Sequence, residues 1–539
     1  MNLSMHRAKI QANRQSTPHV IVIGGGVGGL AAAVRLAAKN VRVTLLEKQP
    51  TLGGKLNQWI VPHPTRTDDR PFRFDTGPSL ITLPFVFKDL FEAAGRDVRD
   101  YLPIVKLDPI SRFQWADGQS LEFHSDPVKT EAAIAKFSPG DVAGWRKFFA
   151  YGKNVWDLAG ETFLANSPEQ MIRGDGDAGS GGFDPLAGLR MLSVPLRIGM
   201  FRKFAPLVDR HIKSPRLREV LYQYATYSGA SPFLCPATLA VIPYCEMHFC
   251  GWYIQGGLYT LASALERVAR ELGVEIRTGV GVSRIVVENG RATGVEVDGK
   301  MEFADAVVCN ADAVWAMRNL IDAKDRPHKT DAKLDAIDPG GSGLILCLGV
   351  EGTYPQLAHH TKFMPADYAS DLRAMFETRQ VPEDPCIYVC ASTRTDSTQA
   401  PSDCENLFVL ASAPPIMKGT AKGFMLDWEV EGPKYEKRLI ETLETKWGLT
   451  DLSKRIVVRR RWTPGDLARD YNANAGAIYG ISSNGIKNAF LRPANKEKRI
   501  AGLFFAGGST HPGGGLPLVA LSGKIAAGLA LEYVAKEVG

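Results

Sequence analysis

The feature that most constrains this chain is a glycine cluster between two apolar runs near its start, HVIVIGGGVGGLAAAVRLAAKNVRVTLLEK, residues 19–48. The short apolar run Val20–Ile23 predicts a buried strand, and the alanine-rich stretch Leu30–Lys39 predicts a helix. Val41–Leu46 predicts a second buried strand. A strand, a helix and a strand in close succession predict the first unit of an α/β fold.

Three of these glycines, Gly24, Gly26 and Gly29, have the spacing GxGxxG at the predicted strand-to-helix turn. The first allows a tight turn, the second lets the backbone approach a pyrophosphate, and the third lets helix and strand pack closely. The helix N-terminus directs free N–H groups at the phosphates, and Glu47 lies where an acid accepts hydrogen bonds from an adenosine ribose. The motif therefore predicts a dinucleotide site, with a glycine-rich turn that binds nothing as the alternative.

A second glycine cluster lies at the far end of the chain, in GLFFAGGSTHPGGGLPLVALSGKIAAGLALEYV, residues 502–534. Leu503–Ala506 predicts a strand, residues from Leu518 onward predict a helix, and glycines lie between them. Two glycine-rich helix starts at opposite ends of one chain predict a single long ligand that both ends hold. FAD fits, because the second helix N-terminus can stabilise negative charge on the isoalloxazine and ribityl end.

Two further turns are expected close to the same ligand. LGGKLNQW (Leu52–Trp59) places a glycine pair and a lysine just beyond Glu47, and FRFDTGPSLIT (Phe72–Thr82) adds another turn. The residues predicted to bind FAD are Gly24, Gly26, Gly28, Gly29, Glu47, Lys48, Gly54, Lys55, Gly77, Pro78, Ser79, Val282, Gly507, Gly508, Gly514, Leu516 and Pro517.

Composition bounds the class of protein without identifying it. The 539 residues are enough for two or three domains, and 45% hydrophobic and 23% charged residues are ordinary for a globular protein. The formal net charge of +6 is small for this length, so nothing requires a nucleic-acid partner. All eight cysteines lie at or beyond Cys235 without a CxxC pair, which predicts reduced, buried thiols and a cytoplasmic protein. The sequence shows no metal-ligand spacing, Ser-His-Asp arrangement or paired acids.

Other segments of the chain predict a tail, a loop and a hairpin turn. Residues 1–18 are polar and basic, which predicts a flexible tail rather than a secretory signal. RGDGDAGSGGFD (Arg173–Asp184) predicts a loop, and Asn289–Gly290 predicts a hairpin turn between two strands. No window has about eighteen uninterrupted apolar residues, so no membrane-spanning helix is expected. Residues 340–470 mix strands and helices without a recognisable site motif.

Motifs that follow one another along nearly the whole chain resemble the bacterial phytoene desaturases, a family within the FAD-dependent amine oxidase superfamily. They are the dinucleotide fold with GGK, FDTGPS, FSPGD with Trp145, YATYSGASPF (Tyr224–Phe233), GWYIQGGLYTLASAL, NAFLRPAN (Asn488–Asn495) and FAGGSTHPGGGLPLVALSGKIAA. THPGGGLP is the most diagnostic of these motifs. YATYSGASP looks most like the branch that acts on later, already partly conjugated carotenoids.

The chain departs from the family pattern in two places. The segment VPHPTRTDDRPF is longer than the usual connector between the GGK and FD motifs. RPAN has Ala494 where the family often has a histidine, so a role for that histidine cannot be transferred to this chain. The branch within the family is therefore left open.

The resemblance implies an α/β fold with a Rossmann-like FAD-binding domain built from discontinuous segments. These segments are residues 19–100, 255–325 and 485–539, which follow the tail of residues 1–18. Residues 101–254 and 326–484 are then expected to form a mixed α+β substrate domain that includes a helical, membrane-facing part.

The resemblance also implies an enzyme that desaturates a long acyclic polyene. A hydride passes to flavin N5 and a neighbouring proton is lost, which introduces a double bond. The candidate substrate-facing residues are Tyr227, Trp252, Tyr253 and His511, with core packing as the alternative for each aromatic ring. Three other functions stay open: a carotenoid oxygenase or a redox-neutral isomerase of the same family, and a flavin-free prenyl-binding protein resembling GDP-dissociation inhibitor.

A polyene is insoluble in water, so the expected partners include a membrane surface from which the substrate is drawn. The predicted docking segment is Leu186–Ile212, which Pro195 and Pro206 should divide into short helices. Its apolar residues at helical spacing are Leu189, Leu192, Leu196, Met200 and Phe204, and its basic residues are Arg190, Arg197, Arg202, Lys203 and Arg210. A core-packed helix with a solvated basic face is the alternative.

We therefore expect the enzyme to lie in the cytoplasm, peripherally on the inner face of the cell membrane. The first GxGxxG is the only one in a strand–turn–helix context, so a second dinucleotide such as NAD is not expected. Reduced flavin should instead pass its electrons to a quinone or to oxygen.

Overall fold

The computed structural model describes residues 17–66, 69–166, 170, 194–416 and 426–538. The strands are β1 (His19–Ile23), β2 (Arg42–Glu47), β3 (Gln58–Val61), β4 (Phe72–Asp75), β5 (Ile104–Lys106), β6 (Ser111–Gln114), β7 (Ser120–Phe123), β8 (Trp252–Ile254), β9 (Glu275–Thr278), β10 (Val282–Glu288), β11 (Arg291–Val297), β12 (Lys300–Phe303), β13 (Ala306–Cys309), β14 (Ser342–Glu351), β15 (His360–Phe363), β16 (Ile387–Cys390), β17 (Cys404–Ala413), β18 (Ile456–Trp462) and β19 (Leu503–Phe505). The α-helices are α1 (Val27–Ala37), α2 (Phe85–Ala93), α3 (Pro127–Phe137), α4 (Val142–Val155), α5 (Glu161–Ala165), α6 (Phe204–His211), α7 (Pro215–Gln223), α8 (Val241–His248), α9 (Thr260–Glu271), α10 (Ala313–Asn319), α11 (Asp331–Asp335), α12 (Tyr368–Arg373), α13 (Trp428–Thr445), α14 (Leu452–Arg455), α15 (Pro464–Tyr471), α16 (Gly485–Phe490) and α17 (Leu516–Val538).

A five-stranded parallel sheet in the order β19-β13-β1-β2-β9 carries both glycine clusters. Its strands β1, β13 and β19 are almost completely buried, as expected for parallel strands covered on both faces. The predicted strand–helix–strand unit is confirmed, although α1 begins at Val27 rather than at Leu30. The sheet takes strands from each of the three segments predicted to form the FAD domain, and the domain boundaries themselves remain a prediction.

The predicted hairpin at Asn289–Gly290 is confirmed. Strands β10 and β11 pair antiparallel on either side of it, and both turn residues have positive φ, 52° and 73°. That conformation is the one that favours Asn-Gly in a two-residue hairpin.

A second, seven-stranded sheet in the order β18-β14-β17-β16-β15-β6-β7 forms the other half of the molecule. Its neighbouring strands run antiparallel except for the parallel pair β15 and β6. Helices α4, α6, α7 and α8 pack around an apolar core that reaches β6 and β7. The predicted combination of an α/β dinucleotide fold with a mixed α+β part is confirmed.

One expectation about the far end of the chain needs correction. Leu516–Glu537 in α17 is 22 residues long and contains an 18-residue window with a mean hydropathy of 1.5, so by length and composition this helix could cross a membrane. The helix has no uninterrupted apolar run of about eighteen residues, because scattered polar residues interrupt its apolar sequence. These polar residues lower its mean hydropathy only slightly. Half of that window is buried, and a Cβ on Gly523 would lie 2.4 Å from the Gly28 carbonyl oxygen of α1. Close packing on α1 thus accounts for part of its apolar composition.

The cysteine prediction is confirmed: all eight are free and buried. The predicted loop Arg173–Asp184 and residues 1–16 of the predicted tail lie outside the described residues.

Candidate active site

The first glycine turn forms part of the wall of a cavity of about 730 Å³. Gly24 has a φ of +90°, which favours glycine, and Gly26 precedes α1 without any side-chain cap on the helix N-terminus. A Cβ on Gly26 would lie 2.8 Å from the Asn310 side-chain oxygen, closer than contacts normally allow. The turn therefore presents bare backbone and free N–H groups to the cavity, as a pyrophosphate requires.

Glu47 ends β2 on the same wall, and its carboxylate is buried. One oxygen accepts a hydrogen bond from the Gly25 N–H at 2.7 Å, and the other accepts one from the Gln49 N–H at 2.8 Å. A carboxylate offers about four acceptor positions, so capacity remains for a ribose hydroxyl. Glu47 thus ties the glycine turn to the end of β2, a role that the sequence did not predict.

All the residues predicted to bind FAD line this cavity except Gly28 and Gly29. These two glycines allow close packing instead. A Cβ on Gly29 would lie 2.0 Å from the Gly24 carbonyl oxygen, and one on Gly28 would lie 2.7 Å from the Asn310 side-chain nitrogen. The predicted packing role of the third motif glycine therefore agrees with the structure, and neither Gly28 nor Gly29 lines the cavity.

Two lysines place positive charge on the cavity wall. Lys48 donates to the Asn472 side-chain oxygen at 2.8 Å. Lys55 donates to the carbonyl oxygens of Ala477 and Ile478 at 2.9 and 2.7 Å, and burial lowers its pKa to about 8. Lys55 is therefore mainly protonated at pH 7, close to the point where its charge is lost.

These residues fit FAD. The two glycine-rich helix starts, before α1 and before α17, line one and the same cavity, and β1, β13 and β19 place them side by side. Backbone N–H groups suit the pyrophosphate, and the buried acid at Glu47 suits a ribose. Residues 507–509 and 514–517 line the wall where the sequence places the flavin end of the ligand.

Beyond the glycine turns the same cavity continues along an apolar wall made largely by the seven-stranded sheet and its covering helices. Strands β14 and β17 contribute Ile345, Phe408 and Leu410, and Met375 and Phe376 follow α12. An apolar space joined to a cofactor site can take a water-insoluble substrate.

A buried polar group interrupts this apolar wall, and we define it as Lys362, Glu246, Tyr227, Gln223 and Tyr224. The Lys362 ammonium donates to the Gln223 side-chain oxygen at 2.8 Å and to the Tyr227 hydroxyl at 2.9 Å. The Tyr224 hydroxyl donates to one oxygen of Glu246 at 2.6 Å. Lys362 and Glu246 are 3% and 1% exposed, and burial lowers the pKa of Lys362 and raises that of Tyr227.

Histidines form a second polar chain beside it. The Tyr388 hydroxyl lies 2.7 Å from Nδ1 of His360 and 2.6 Å from the Ser79 hydroxyl. Burial keeps the pKa of His360 well below its usual range, so the ring is neutral. His359, His360 and Cys390 bring three potential metal-ligand atoms within 4.8 Å of one another, a grouping that the sequence did not suggest.

Of the four candidate substrate-facing residues, only Tyr227 lines the cavity. Trp252 donates its ring N–H to the Phe249 carbonyl oxygen at 2.7 Å, and Tyr253 is buried with its ring against His359. Nε2 of His511 lies 3.1 and 3.0 Å from the carbonyl oxygens of Phe163 and Asn166.

Burial lowers the pKa of His511 to about 4, so this ring is neutral at pH 7. Its hydrogen-bonding nitrogen is directed at the C-terminal end of α5, which corrects the expectation that His511 lies on the flavin side of the glycine cluster. The geometry gives no support to a substrate contact by His511, Trp252 or Tyr253.

The sequence reasoning missed Lys362, Glu246 and His360. Lys362 and His360 lie in residues 340–470, for which no site motif was recognised, and Glu246 lies in α8. The sequence HHTKF could have indicated this polar group. Histidines and a lysine in a strand that is otherwise suited to burial need polar partners.

Comparisons with known proteins agree with this geometry. The sequence profile of the flavin containing amine oxidoreductase family matches residues 27–353. The chain belongs to this family. It is accordingly an FAD-dependent oxidoreductase, so the flavin-free alternative is wrong.

Similar proteins cover nearly the whole chain. A 4,4'-diapolycopene oxygenase of Methylomonas sp is 36% identical, over 95% of this chain and 98% of that protein. A 4,4'-diaponeurosporene oxygenase of Staphylococcus aureus (strain Mu50 / ATCC 700699) is 33% identical, over 94% and 97%. A zeta-carotene-forming phytoene desaturase of Myxococcus xanthus is 34% identical, over 94% and 92%. The resemblance to the phytoene desaturases is thereby confirmed.

Among solved structures, two oxidoreductases have folds that superpose on the chain. A putrescine oxidase variant has a TM-score of 0.59 at 15% identity, covering 96% of this chain and 99% of that one. An oxidoreductase from Methanosarcina mazei has the same TM-score at 14% identity, covering 94% and 99%. At such low identity these structures support the fold alone.

Proposed function

We propose that this oxidoreductase desaturates a long acyclic polyene of the carotenoid type. The observation that carries the proposal is the single cavity of about 730 Å³, which is lined by both glycine-rich helix starts and by the apolar wall. Three similar proteins are named as oxygenases or a desaturase of such polyenes, which supports this substrate class.

Bound FAD supplies the acceptor for a hydride. The chain supplies binding, orientation and a dry environment. Apolar side chains such as Ile345, Phe376 and Leu410 bury the polyene and exclude water, and they hold its reacting carbon in a narrow range of positions. At pH 7 the protonated Lys55 keeps a positive charge beside the cavity.

The test is to mix the oxidised holoenzyme without oxygen with acyclic polyenes of several saturation levels, carried in liposomes. We expect the flavin absorbance to bleach and one double bond to form for each flavin reduced, measured by chromatography and visible spectra of the products. A flavin-free preparation is the control. Absence of bleaching with every polyene would refute the proposal.

Oxygenation of the polyene is the second candidate function, and the buried polar group on the cavity wall favours it. Removing hydrogen from a pure hydrocarbon needs no such group. Incorporation of labelled oxygen into the product during aerobic turnover would identify an oxygenase. A product with an unchanged number of double bonds would identify an isomerase.

We also propose that the protein docks on the inner face of the cell membrane. In the described part of the predicted docking segment, Leu196 and Phe201 are 69% and 63% exposed, and Arg197, Arg202 and Lys203 beside them are exposed. Exposed apolar groups among basic ones suit an anionic lipid surface.

Not every residue of the predicted docking segment supports this proposal. Phe204, predicted to lie on the apolar face of a docking helix, is fully buried in the core instead, because α6 turns it towards α4. Leu189, Leu192 and Arg190 lie outside the described residues. A quinone within that membrane, or oxygen, would then take the electrons from the reduced enzyme.

A further inference from the structure

The polar group defined above has unused hydrogen-bonding capacity that faces the cavity. Lys362, Glu246 and Tyr227 all line its wall. Glu246 Oε2 is buried and has no hydrogen-bond partner among the residues that the structure describes. An ammonium has three N–H donors, and two of those on Lys362 are used by Gln223 and Tyr227. One N–H of Lys362, the Oε2 acceptor of Glu246 and the Tyr227 O–H, which interacts with Glu246, therefore remain available to a ligand.

Neighbouring aromatic side chains hold both the Lys362 donor and the Glu246 acceptor in place. Tyr224 donates its hydroxyl to Glu246, and its ring lies 5.6 Å from the Lys362 nitrogen. Lys362 is also 5.1 Å from the centre of the Tyr227 ring, and its charge is attracted to both ring faces. These contacts hold the charged groups in place before any ligand binds, which lowers the entropy lost on binding.

A hydrocarbon cannot satisfy this group. A buried carboxylate oxygen without a hydrogen bond destabilises the complex, because its lost hydration is not replaced. A hydroxyl can both donate to Glu246 and accept from Lys362, whereas an aldehyde can only accept. The arrangement therefore matches a hydroxyl better than it matches either alternative.

We propose that Lys362, Glu246 and Tyr227 form a binding site for a hydroxyl-bearing carbon, so that a polyene alcohol is a preferred ligand of this cavity. The inference rests on the proposed polyene substrate and deepens it. A site built around a substrate hydroxyl discriminates strongly against the analogue that lacks it, since its own buried groups are then left unpaired.

The test measures binding without turnover. The holoenzyme is kept reduced and free of oxygen, so that no hydride can leave the ligand, and is titrated with three acyclic polyenes of equal length. One carries a terminal alcohol, one a terminal aldehyde and one only hydrocarbon. The shift of the polyene absorption band reports the dissociation constant. We expect the alcohol to bind at least about tenfold tighter than the hydrocarbon, with the aldehyde between them.

Glu246→Gln should reduce the preference for the alcohol to less than about threefold, because the amide NH₂ no longer accepts the hydroxyl proton. Glu219→Gln is the matched control, since Glu219 lies in α7 away from the cavity wall, and it should keep the full preference. If Glu246→Gln does not fold, Tyr227→Phe tests the same site, with Tyr222→Phe as its control.

Two results would overturn the inference while leaving the polyene substrate intact. The first is equal binding of the alcohol and the hydrocarbon to the wild type, which would mean that water satisfies the group. The second is a preference that Glu246→Gln and Tyr227→Phe leave unchanged. Failure of all three polyenes to bind would instead refute the proposed function together with the inference.

Discussion

Replacing Glu47 by glutamine should weaken FAD binding although the side chain keeps its size. In the wild type the two carboxylate oxygens accept from the Gly25 and Gln49 N–H groups at 2.7 and 2.8 Å. Glutamine keeps one of these acceptors and turns the other into an NH₂ donor. That NH₂ then faces either the Gln49 or the Gly25 N–H; opposite Gly25 it removes the side-chain bond that ties the glycine turn to the end of β2 and leaves only the bond from the Gly24 N–H to the Leu46 carbonyl oxygen.

The size of the effect follows from the lost bond. A hydrogen bond to a charged group contributes about 1.5–3 kcal/mol, and the site is buried, so water cannot replace it. If all of this lost free energy reduces the stability of the glycine-turn conformation that binds the pyrophosphate, the dissociation constant of FAD rises about 10- to 150-fold. Glu47→Ala removes both bonds and should weaken binding at least as much.

The assay is titration of the apoprotein with FAD, followed by quenching of flavin fluorescence. Glu275→Gln is the matched control, because Glu275 also accepts a side-chain hydrogen bond, from Thr44 on the neighbouring strand, but does not line the cavity. A dissociation constant for Glu47→Gln within threefold of the wild type would show that the Gly25 contact does not shape the cofactor site.

Four more outcomes are expected. Gly26→Val should abolish FAD retention, because its Cβ would lie 2.8 Å from an Asn310 oxygen on the cavity wall; full flavin absorbance in the purified variant would contradict this. Since the pKa of Lys55 is about 8, its positive charge is lost as the pH rises from 7 to 9. The reduction potential of the bound flavin should therefore fall more steeply over this range in the wild type than in Lys55→Met. NAD and NADP should not oxidise the reduced flavin rapidly, and stopped-flow mixing that showed saturable oxidation would overturn this. Replacing Arg197, Arg202 and Lys203 by glutamate should weaken sedimentation with anionic liposomes at unchanged flavin content, by about 1 kcal/mol for each basic residue removed; unchanged sedimentation would place the docking surface elsewhere.

The cofactor half of the site was predictable because its determinants are local. A glycine at a turn, a free helix N-terminus and an acid at the end of the next strand each act within a few residues of one another. The spacing around Gly24 and the cluster from Gly507 to Gly515 therefore indicated the ligand before any contact was known. The first helix begins at Val27, three residues earlier than predicted, because Val27, Gly28 and Gly29 already form its first turn.

The substrate half was not predictable in the same way. Lys362 and Tyr227 are 135 residues apart, and neither belongs to a motif that states its partner. Only the pairing of β15 with β6 and β16, beside the helical turn that follows α7, brings them together with Glu246. Position in a motif also gave a wrong prediction for His511, which lies within the second glycine cluster but hydrogen-bonds to the C-terminal end of α5.

The sequence by itself determined the parallel sheet, both glycine turns, the FAD site and the reduced state of the cysteines, because each depends on residue type at short range. Only the tertiary structure decided what faces the cavity. Side-chain direction depends on how strands from distant segments pair and on which helices cover them. Within the described part of the chain, that packing placed Glu246 Oε2 on an apolar wall without a partner that meets hydrogen-bond geometry, and it buried Phe204 while leaving Phe201 exposed.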